Sequence, residues 1–173
     1  MQNYFALLAV EPVFDVDLSA LEKIYFTKQR EFHPDRQIGK TDAEKQKAIL
    51  ASMEINAAYQ TLKDPLKRAQ NLLEMQGIWV NSEGKDTVKP TPELLMEMMT
   101  LREEVAECNS IIALEKLEAH STREHQHCVQ SISDAFAKND LQQAAMGALR
   151  LRYLEKLRDE LRVIRGQRFK DVS

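Results

Sequence analysis

The residues best equipped for chemistry stand together in the segment Phe32-His33-Pro34-Asp35-Arg36. A histidine donates, accepts or carries charge near neutral pH, and the Asp35 carboxylate is an anion beside the Arg36 guanidinium. Pro34 has no backbone N–H and disfavours helical geometry at His33, so a helix that ends near Phe32 must break here. Such a break turns polar side chains outward. The segment is therefore either an incidental helix stop or a turn that recognises a partner.

An acid–base pair of His33 and Asp35 in an enzyme is a third interpretation of this turn. No nucleophile, oxyanion donor or metal motif accompanies the pair in the sequence. A turn between two helices also projects into solvent rather than lining a pocket. We therefore expect a binding turn, and a protein that is not an enzyme.

A second group of potential ligands comprises His120, His125, His127 and Cys128. His125 and Cys128 are three residues apart and could meet on one helix face, but no fourth ligand is placed and the group straddles a predicted helix start. Cys108 and Cys128 form no CxxC pair, which argues against a zinc ribbon or a disulfide framework. We predict solvated histidines, a half-buried Cys128, and no metal or other cofactor.

The composition is that of a mostly helical globular protein. Hydrophobic residues make up 43% and charged residues 29% of the 173 positions, with only 5 glycines and 5 prolines. The net charge of −3 gives no general attraction to nucleic acid or to membranes. No stretch resembles a signal peptide or is long enough to span a bilayer. We therefore expect a cytoplasmic protein with no nucleic-acid or membrane partner.

Local signals divide the first half of the chain into four helices. They are residues 3–8, 18–32, 41–62 and 64–77. Asp17 is a plausible cap for the second helix, Thr41 and Glu44 have the spacing of a capping box, and Asp64 precedes a proline at the first helical position. The inner surface of the third helix is predicted to comprise Ile49, Met53, Ile55 or Asn56, Tyr59 and Leu62. Two long antiparallel helices flanking the turn, with short helices over their ends, are expected.

Turn-forming residues from about 76 to 90 predict a linker. Its Trp79 is expected to pack the linker against a helix or between the domains, or else to contact a partner. Three further helices are predicted over residues 91–120, 122–139 and 141–164, as an antiparallel bundle. Their signals are Thr91-Pro92, a second capping box at Ser121-Thr122-Arg123-Glu124, and Asn139-Asp140. A seam facing a neighbouring helix is predicted at Leu94, Met98, Leu101, Val105, Cys108 and Ile112.

A second apolar stripe lies off that seam. At about 100° per residue, Leu95, Met96 and Met99 fall well round the helix, with Glu103 and Glu107 in line below them. Cover by the linker or by another helix is one explanation. The other is an exposed apolar patch with an acidic margin, which marks a protein-binding site. The physical pattern alone leaves both open.

Several segments of the first half together resemble the J domain, the module by which co-chaperones engage DnaK-class chaperone ATPases. They are Asn3-Tyr4-Phe5 with Leu7, Leu8 and Val10; Tyr25; Phe32-His33-Pro34-Asp35-Arg36; and residues 55–62 followed by Asp64, Lys67, Arg68 and Ala69. The resemblance implies that the His33-Pro34-Asp35-Arg36 turn docks on the chaperone and helps to trigger ATP hydrolysis. It also implies that an acidic chaperone surface meets the basic residues of the preceding helix, which are Lys23, Lys28 and Arg30.

The first half departs from the family pattern at two places. Ala9 stands where the family usually has glycine, and Phe26-Thr27 stands where it often has a basic pair. The positive charge of the second helix is carried by neighbouring positions instead. We therefore expect this domain to serve a general-purpose chaperone less well than the family pattern would.

Segments of the second half narrow the resemblance to the HscB branch of these co-chaperones, which serves iron–sulfur cluster assembly. They are Pro92-Glu93-Leu94-Leu95-Met96-Glu97, Leu101-Arg102-Glu103-Glu104 and Leu151-Arg152-Tyr153-Leu154-Glu155-Lys156-Leu157. The resemblance implies an L-shaped all-α molecule with a J domain at 1–75, a linker at 76–90 and a C-terminal three-helix bundle at 91–173. Its bundle would carry the cluster scaffold protein IscU, and its J domain would recruit the chaperone HscA. We expect a monomer.

The scaffold-binding residues implied by this resemblance are Leu95, Met96, Met99, Glu103, Glu107 and Tyr153. Five of them are the second stripe, which favours its interpretation as a site. Thr100 stands where a family acid can occur, so one charged contact is expected to be missing. The cysteine-rich extension and transit peptide of some relatives are not seen, which favours a bacterial cytoplasmic form. A J-domain adaptor for a different client, or a small helical enzyme or metal protein, are the alternatives.

Overall fold

We describe the protein from a computed structural model, which describes residues 2–32, 39–80 and 87–169. The described chain is all-α, as predicted, and its only extended pairing is an isolated bridge between Trp79 and Thr87. Its helices are α1 (Tyr4–Leu8), α2 (Leu18–Glu31), α3 (Asp42–Lys63), α4 (Pro65–Met75), α5 (Pro92–Ala106), α6 (Ile111–Ala137) and α7 (Leu141–Arg168). The chain divides into two compact units, Met1–Gly77 and Ile78–Ser173. None of the helices in the described ranges is long and apolar enough to cross a membrane.

The N-terminal caps predicted for the first unit are confirmed. The Asp17 side chain accepts hydrogen bonds from the backbone N–H groups of Ser19 and Ala20. Thr41 and Glu44 form both halves of a capping box, with Thr41 N donating to Glu44 Oε2 at 2.8 Å. These bonds satisfy backbone donors that have no partner within the helix, and so fix where α2 and α3 begin.

Helices α2 and α3 pair through a few specific side-chain contacts. The Tyr25 ring stacks on the Tyr59 ring with centroids 4.2 Å apart, and its hydroxyl donates to Asn56 Oδ1 at 3.3 Å. One turn along, Gln29 and Ser52 exchange two bonds: Gln29 Nε2 donates to Ser52 O at 3.0 Å, and Ser52 Oγ donates to Gln29 Oε1 at 2.7 Å. These contacts set an antiparallel register.

The predicted inner surface of α3 is wrong at two of its five positions. The side chains of Ile49 and Met53 are 59% and 64% exposed. The buried residues of α3 are Ala48, Ile55, Ala58, Tyr59 and Leu62. Ser52 faces α2, where it exchanges hydrogen bonds with Gln29, and Ala48 is buried one turn before it. Ile49 and Met53 follow those two positions by one residue, so they are turned about 100° out of the contact.

The C-terminal end of α1 holds a strained residue. Ala9 is in the left-handed conformation, with φ 55°, and its N–H donates to the Ala6 carbonyl at 3.1 Å. This is the position at which helices commonly use glycine, because a Cβ crowds the backbone there.

The second unit begins its middle helix earlier than the sequence suggests. α5 ends at Ala106 and α6 runs without interruption from Ile111 to Ala137, so the predicted start at Ser121 is wrong. Ser110 is the true N-cap: its hydroxyl accepts from Ala113 N at 3.2 Å. Ile112, predicted to continue the seam, is 63% exposed because the helix phase restarts at Ser110.

The second capping-box motif fails because its hydroxyls have other environments. Ser121 is buried inside α6, and its Oγ has no hydrogen-bond partner. Thr122 Oγ1 donates back to the Glu118 carbonyl at 2.8 Å, as hydroxyl side chains do within a continuing helix. The motif therefore occurred without the change of backbone direction that a cap requires.

α7 packs against both α5 and α6 and forms the centre of the bundle. The predicted seam is confirmed on α5, where Leu94, Met98, Leu101 and Val105 are buried. On α7, Leu154, Leu157 and Leu161 are buried as well. Small residues let α6 and α7 approach closely: a Cβ added to Gly147 would lie 2.7 Å from Ile132 Cγ1. This packing decides which face of α5 remains uncovered.

Candidate functional site

The turn of His33, Pro34, Asp35 and Arg36 lies outside the described residues. The three basic residues assigned to the same surface are all on α2: Lys23 and Arg30 are exposed and Lys28 is partly buried. Within the described ranges no ion pair involves any of the three. Their charge is therefore available to an external acidic surface.

The second stripe of α5 is exposed to solvent. Leu95, Met96 and Met99 are 41%, 69% and 62% exposed, so the helices in the described ranges leave much of their surface uncovered. Glu103 is exposed on the same helix, and Glu107 is exposed at its C-cap. These exposed fractions agree with an exposed apolar patch rather than with a stripe that another described helix covers. We call Leu95, Met96 and Met99 the α5 stripe.

A charged network holds α5 in the orientation that exposes this stripe. Arg150 on α7 donates from Nε to Glu97 Oε1 at 3.2 Å and from Nη2 to Glu124 Oε2 at 2.8 Å, which joins α5, α6 and α7. The hydrogen bond from Arg150 lowers the pKa of Glu124. Bonding to Glu97, and then to Glu124, raises the pKa of Arg150 against the effect of burial. Glu97 lies between Met96 and Met98, so its anchoring fixes the rotation of α5 about its axis.

Tyr153, the sixth predicted scaffold residue, is half-buried on α7. It follows Arg150 by three residues, and therefore lies one turn along from the residue that contacts α5.

The His and Cys residues of α6 have ordinary structural surroundings. Cys128 is buried rather than half-buried, and its thiol donates to the Gly147 carbonyl at 3.3 Å. Burial raises the pKa of this thiol, which keeps it protonated and unreactive. His125 Nε2 lies 3.9 Å from Glu155 Oε1. In the described part of the chain no cluster of three or more His, Cys, Asp or Glu residues could hold a metal ion.

One group of exposed apolar side chains was not predicted from the sequence. Phe26 on α2 and Ile49, Leu50 and Met53 on α3 are each more than half exposed. The sequence did contain a sign of their exposure, because Phe26 and Leu50 lie off the predicted buried stripes of their helices. Ile49 and Met53 had been placed in the core.

Comparison with known families covers most of the chain. The DnaJ domain family matches residues 3–71, and the HSCB C-terminal oligomerisation domain family matches residues 90–162. A Neisseria meningitidis protein named co-chaperone protein HscB homolog is 34% identical over 93% of this chain and 98% of its own length. The co-chaperone protein HscB of Proteus mirabilis is 38% identical over 92% of this chain and 93% of its own.

Solved structures give the same result. The chaperone HscB from Vibrio cholerae matches with a TM-score of 0.82 at 32% identity, covering 96% of this chain and 99% of that one. The human co-chaperone protein HscB matches with a TM-score of 0.86 at 27% identity, covering 94% and 82%. With a J domain followed by the HscB-type helical domain, the chain belongs to the HscB family of co-chaperones.

Proposed function

We propose that this protein binds the cluster scaffold IscU, delivers it to the DnaK-class chaperone HscA, and stimulates the ATPase of that chaperone during iron–sulfur protein maturation. The observation that carries the proposal is the exposed α5 stripe in a chain that also contains a J domain. A large apolar patch kept in water has an unfavourable free energy unless a partner covers it. The protein acts by binding two partners and catalyses no reaction itself.

The scaffold half of the proposal rests on Leu95, Met96 and Met99. Leucine has few rotatable bonds to order on binding, and methionine has a flexible thioether that adapts to the partner surface. Both properties suit a contact that must form and release. Burial of the part of each side chain that is still exposed would contribute about 1–2 kcal/mol before the cost of association. Glu103 and Glu107 would orient a basic margin on the scaffold, and Tyr153 would add an aromatic contact from α7.

The chaperone half rests on the J domain. The turn of His33, Pro34 and Asp35, with Arg36, would present hydrogen-bonding groups and charge where the chaperone senses its nucleotide. Lys23, Lys28 and Arg30 would steer the encounter, because long-range attraction between opposite charges raises association rates.

Carrying both sites on one chain has a physical advantage. Once the scaffold is bound, the J domain raises the effective concentration of the chaperone near its client, which couples ATP hydrolysis to client arrival. We place this process in the bacterial cytoplasm, with the cluster as cargo of the scaffold and with no cofactor held by this chain.

The decisive experiment is steady-state ATP hydrolysis by the cognate HscA with this protein and IscU added separately and together. We expect stimulation by this protein alone and a further increase, greater than the sum of the separate effects, when both are present. His33→Gln should abolish the stimulation without unfolding the protein. If IscU adds nothing to the rate and is absent from pull-downs with the full chain, the protein is instead an adaptor for another client.

A further inference from the structure

The three methionines of α5 differ in their contact with water. Met96 and Met99 are 69% and 62% exposed, whereas Met98, in the seam that faces α7, is 6% exposed. Glu97 stands between Met96 and Met98 and accepts a hydrogen bond from Arg150 Nε at 3.2 Å. Because this bond fixes the rotation of α5, the fold holds two methionines in solvent and shields the third.

A thioether in contact with water can undergo a reaction from which a buried one is protected. The sulfur lone pair attacks one oxygen of a hydroperoxide, the O–O bond breaks, and an S–O bond forms. The departing oxygen takes up the proton carried by the attacked oxygen, so methionine and hydrogen peroxide give methionine sulfoxide and water. The sulfur loses two electrons and the peroxide gains them. An oxidant dissolved in water meets Met96 and Met99 without any movement of the fold.

The charges beside these methionines favour an uncharged oxidant. Glu93 lies three residues before Met96 and Glu103 lies four residues after Met99, so each carboxylate is on a neighbouring turn of α5, and both are exposed. They would repel an anionic oxidant such as hypochlorite, but not hydrogen peroxide, which is uncharged at neutral pH. Hydroperoxides are therefore the class of oxidant that suits this surface.

Oxidation at these two positions would change binding and leave the fold intact. The sulfoxide oxygen is polar, and burying it against an apolar surface without a hydrogen-bond donor is unfavourable. Neither Met96 nor Met99 belongs to the buried core, so the core packing is kept when the sulfoxides form. A sulfoxide at Met98 would instead place a polar group inside the seam.

We propose that Met96 and Met99 form an oxidation site, at which a hydroperoxide switches off scaffold binding. This inference rests on the proposed function, because it assigns a means of regulation to the α5 stripe. Leu95, the third member of the stripe, carries no sulfur and is unchanged by the oxidant. The modification is reversible, since a thiol-dependent sulfoxide reductase removes the oxygen as water while two thiols form a disulfide.

The test exposes the purified full-length protein to hydrogen peroxide, removes the peroxide with catalase, and then adds untreated IscU. Peptide mass spectrometry follows each methionine, and we expect Met98 to react about 10-fold more slowly than Met96 and Met99. Calorimetric titration should show IscU binding weakened about 10-fold after treatment, because two polar oxygens replace apolar contacts. The unfolding temperature should not change, and sulfoxide reductase with dithiothreitol should restore the affinity.

Two variants separate this site from the other methionines. Met96→Leu/Met99→Leu keeps the stripe apolar but has no sulfur there, so its affinity after treatment should equal its own affinity before treatment. Met53→Leu is the matched control, because Met53 is 64% exposed on α3, in the other unit of the chain. It should bind IscU as the wild type does and should lose affinity to the same extent on oxidation.

The outcomes distinguish this inference from the proposed function. Wild-type affinity that persists once Met96 and Met99 are fully oxidised would overturn the oxidation site and leave the proposed function standing. The same holds if Met96→Leu/Met99→Leu loses affinity as the wild type does, or if the loss comes with a lower unfolding temperature. Untreated wild-type protein that does not bind IscU would overturn both.

Discussion

At the scale of single residues, Ala9 adopts a backbone conformation that its side chain disfavours. Its φ is 55°, and a left-handed L-residue costs about 1–2 kcal/mol relative to one in its preferred regions. We expect Ala9→Gly to raise the free energy of unfolding by about 0.5–1 kcal/mol, since the entropy lost by glycine offsets part of the relief. Urea unfolding at equilibrium measures it.

The control for Ala9 is the same substitution where the helix is relaxed. Ala57 is exposed in the middle of α3, and Ala57→Gly should lower the free energy of unfolding by about 1 kcal/mol. Destabilisation of similar size at both positions would show that the left-handed cap carries no strain.

The Arg150 network gives a prediction about pH. Arg150 lowers the pKa of Glu124 below its unfolded value of about 4.3, so the pair stabilises the fold above that pH. This contribution is lost as the pH falls through the lowered pKa of the folded state. The difference in unfolding free energy between the wild type and Glu124→Gln should therefore be largest near neutrality and should shrink below about pH 4.

Urea unfolding across the acid range measures that difference. Glu104→Gln, at an exposed position of α5, is the control and should match the wild type within about 0.5 kcal/mol throughout. A gap for Glu124→Gln that stays constant with pH would rule out the ion pair as its source.

At the scale of elements, two serines test where α6 begins. Ser110 caps the helix, so Ser110→Ala should cost about 1 kcal/mol of stability. The buried Ser121 hydroxyl has no partner, so Ser121→Ala should be neutral or stabilising. Thermal unfolding of the two variants gives the comparison. The reverse order would restore the cap that the sequence suggested at Ser121.

The contact between α6 and α7 depends on Gly147. A methyl group there would overlap Ile132 Cγ1, so Gly147→Ala should cost about 1–3 kcal/mol even though alanine favours helices. Gly166, also on α7, has nothing within 4 Å of an added Cβ. Gly166→Ala should be neutral or stabilise by up to about 1 kcal/mol, and the two unfolding midpoints should move in opposite directions.

At the scale of the whole molecule, the buried seam and the proposed scaffold-binding stripe lie on different faces of α5. Because Leu95 and Met99 lie off the buried seam, the double variant Leu95→Ala/Met99→Ala should weaken IscU binding at least 10-fold with little change in unfolding temperature. Calorimetric titration with IscU measures the affinity. Ile112→Ala removes an equally exposed side chain elsewhere in the unit and should bind normally. A large fall in the unfolding temperature of the double variant would make the stripe part of the core.

Fold class and helix caps could be read from the sequence with good success, and burial much less so. The seam of α5 was predicted because four of its positions repeat at helical spacing and α7 does cover them. Ile49 and Met53 repeat equally well but face water, because α2 meets the neighbouring stripe of α3. The α5 stripe could be located but not shown to be uncovered, since nothing in its own pattern tells which helices lie nearby.

By itself the sequence determined what depends on neighbours along the chain, such as the helix starts at Asp17, Thr41 and Asp64, where a side chain bonds to a backbone group within a few residues. Only the tertiary structure decided that α6 begins at Ser110, and which apolar residues remain in contact with water. The physical reason is range. A cap is closed by local hydrogen bonds, whereas burial depends on which distant helix occupies a given face, and that choice is made by the packing of the whole unit.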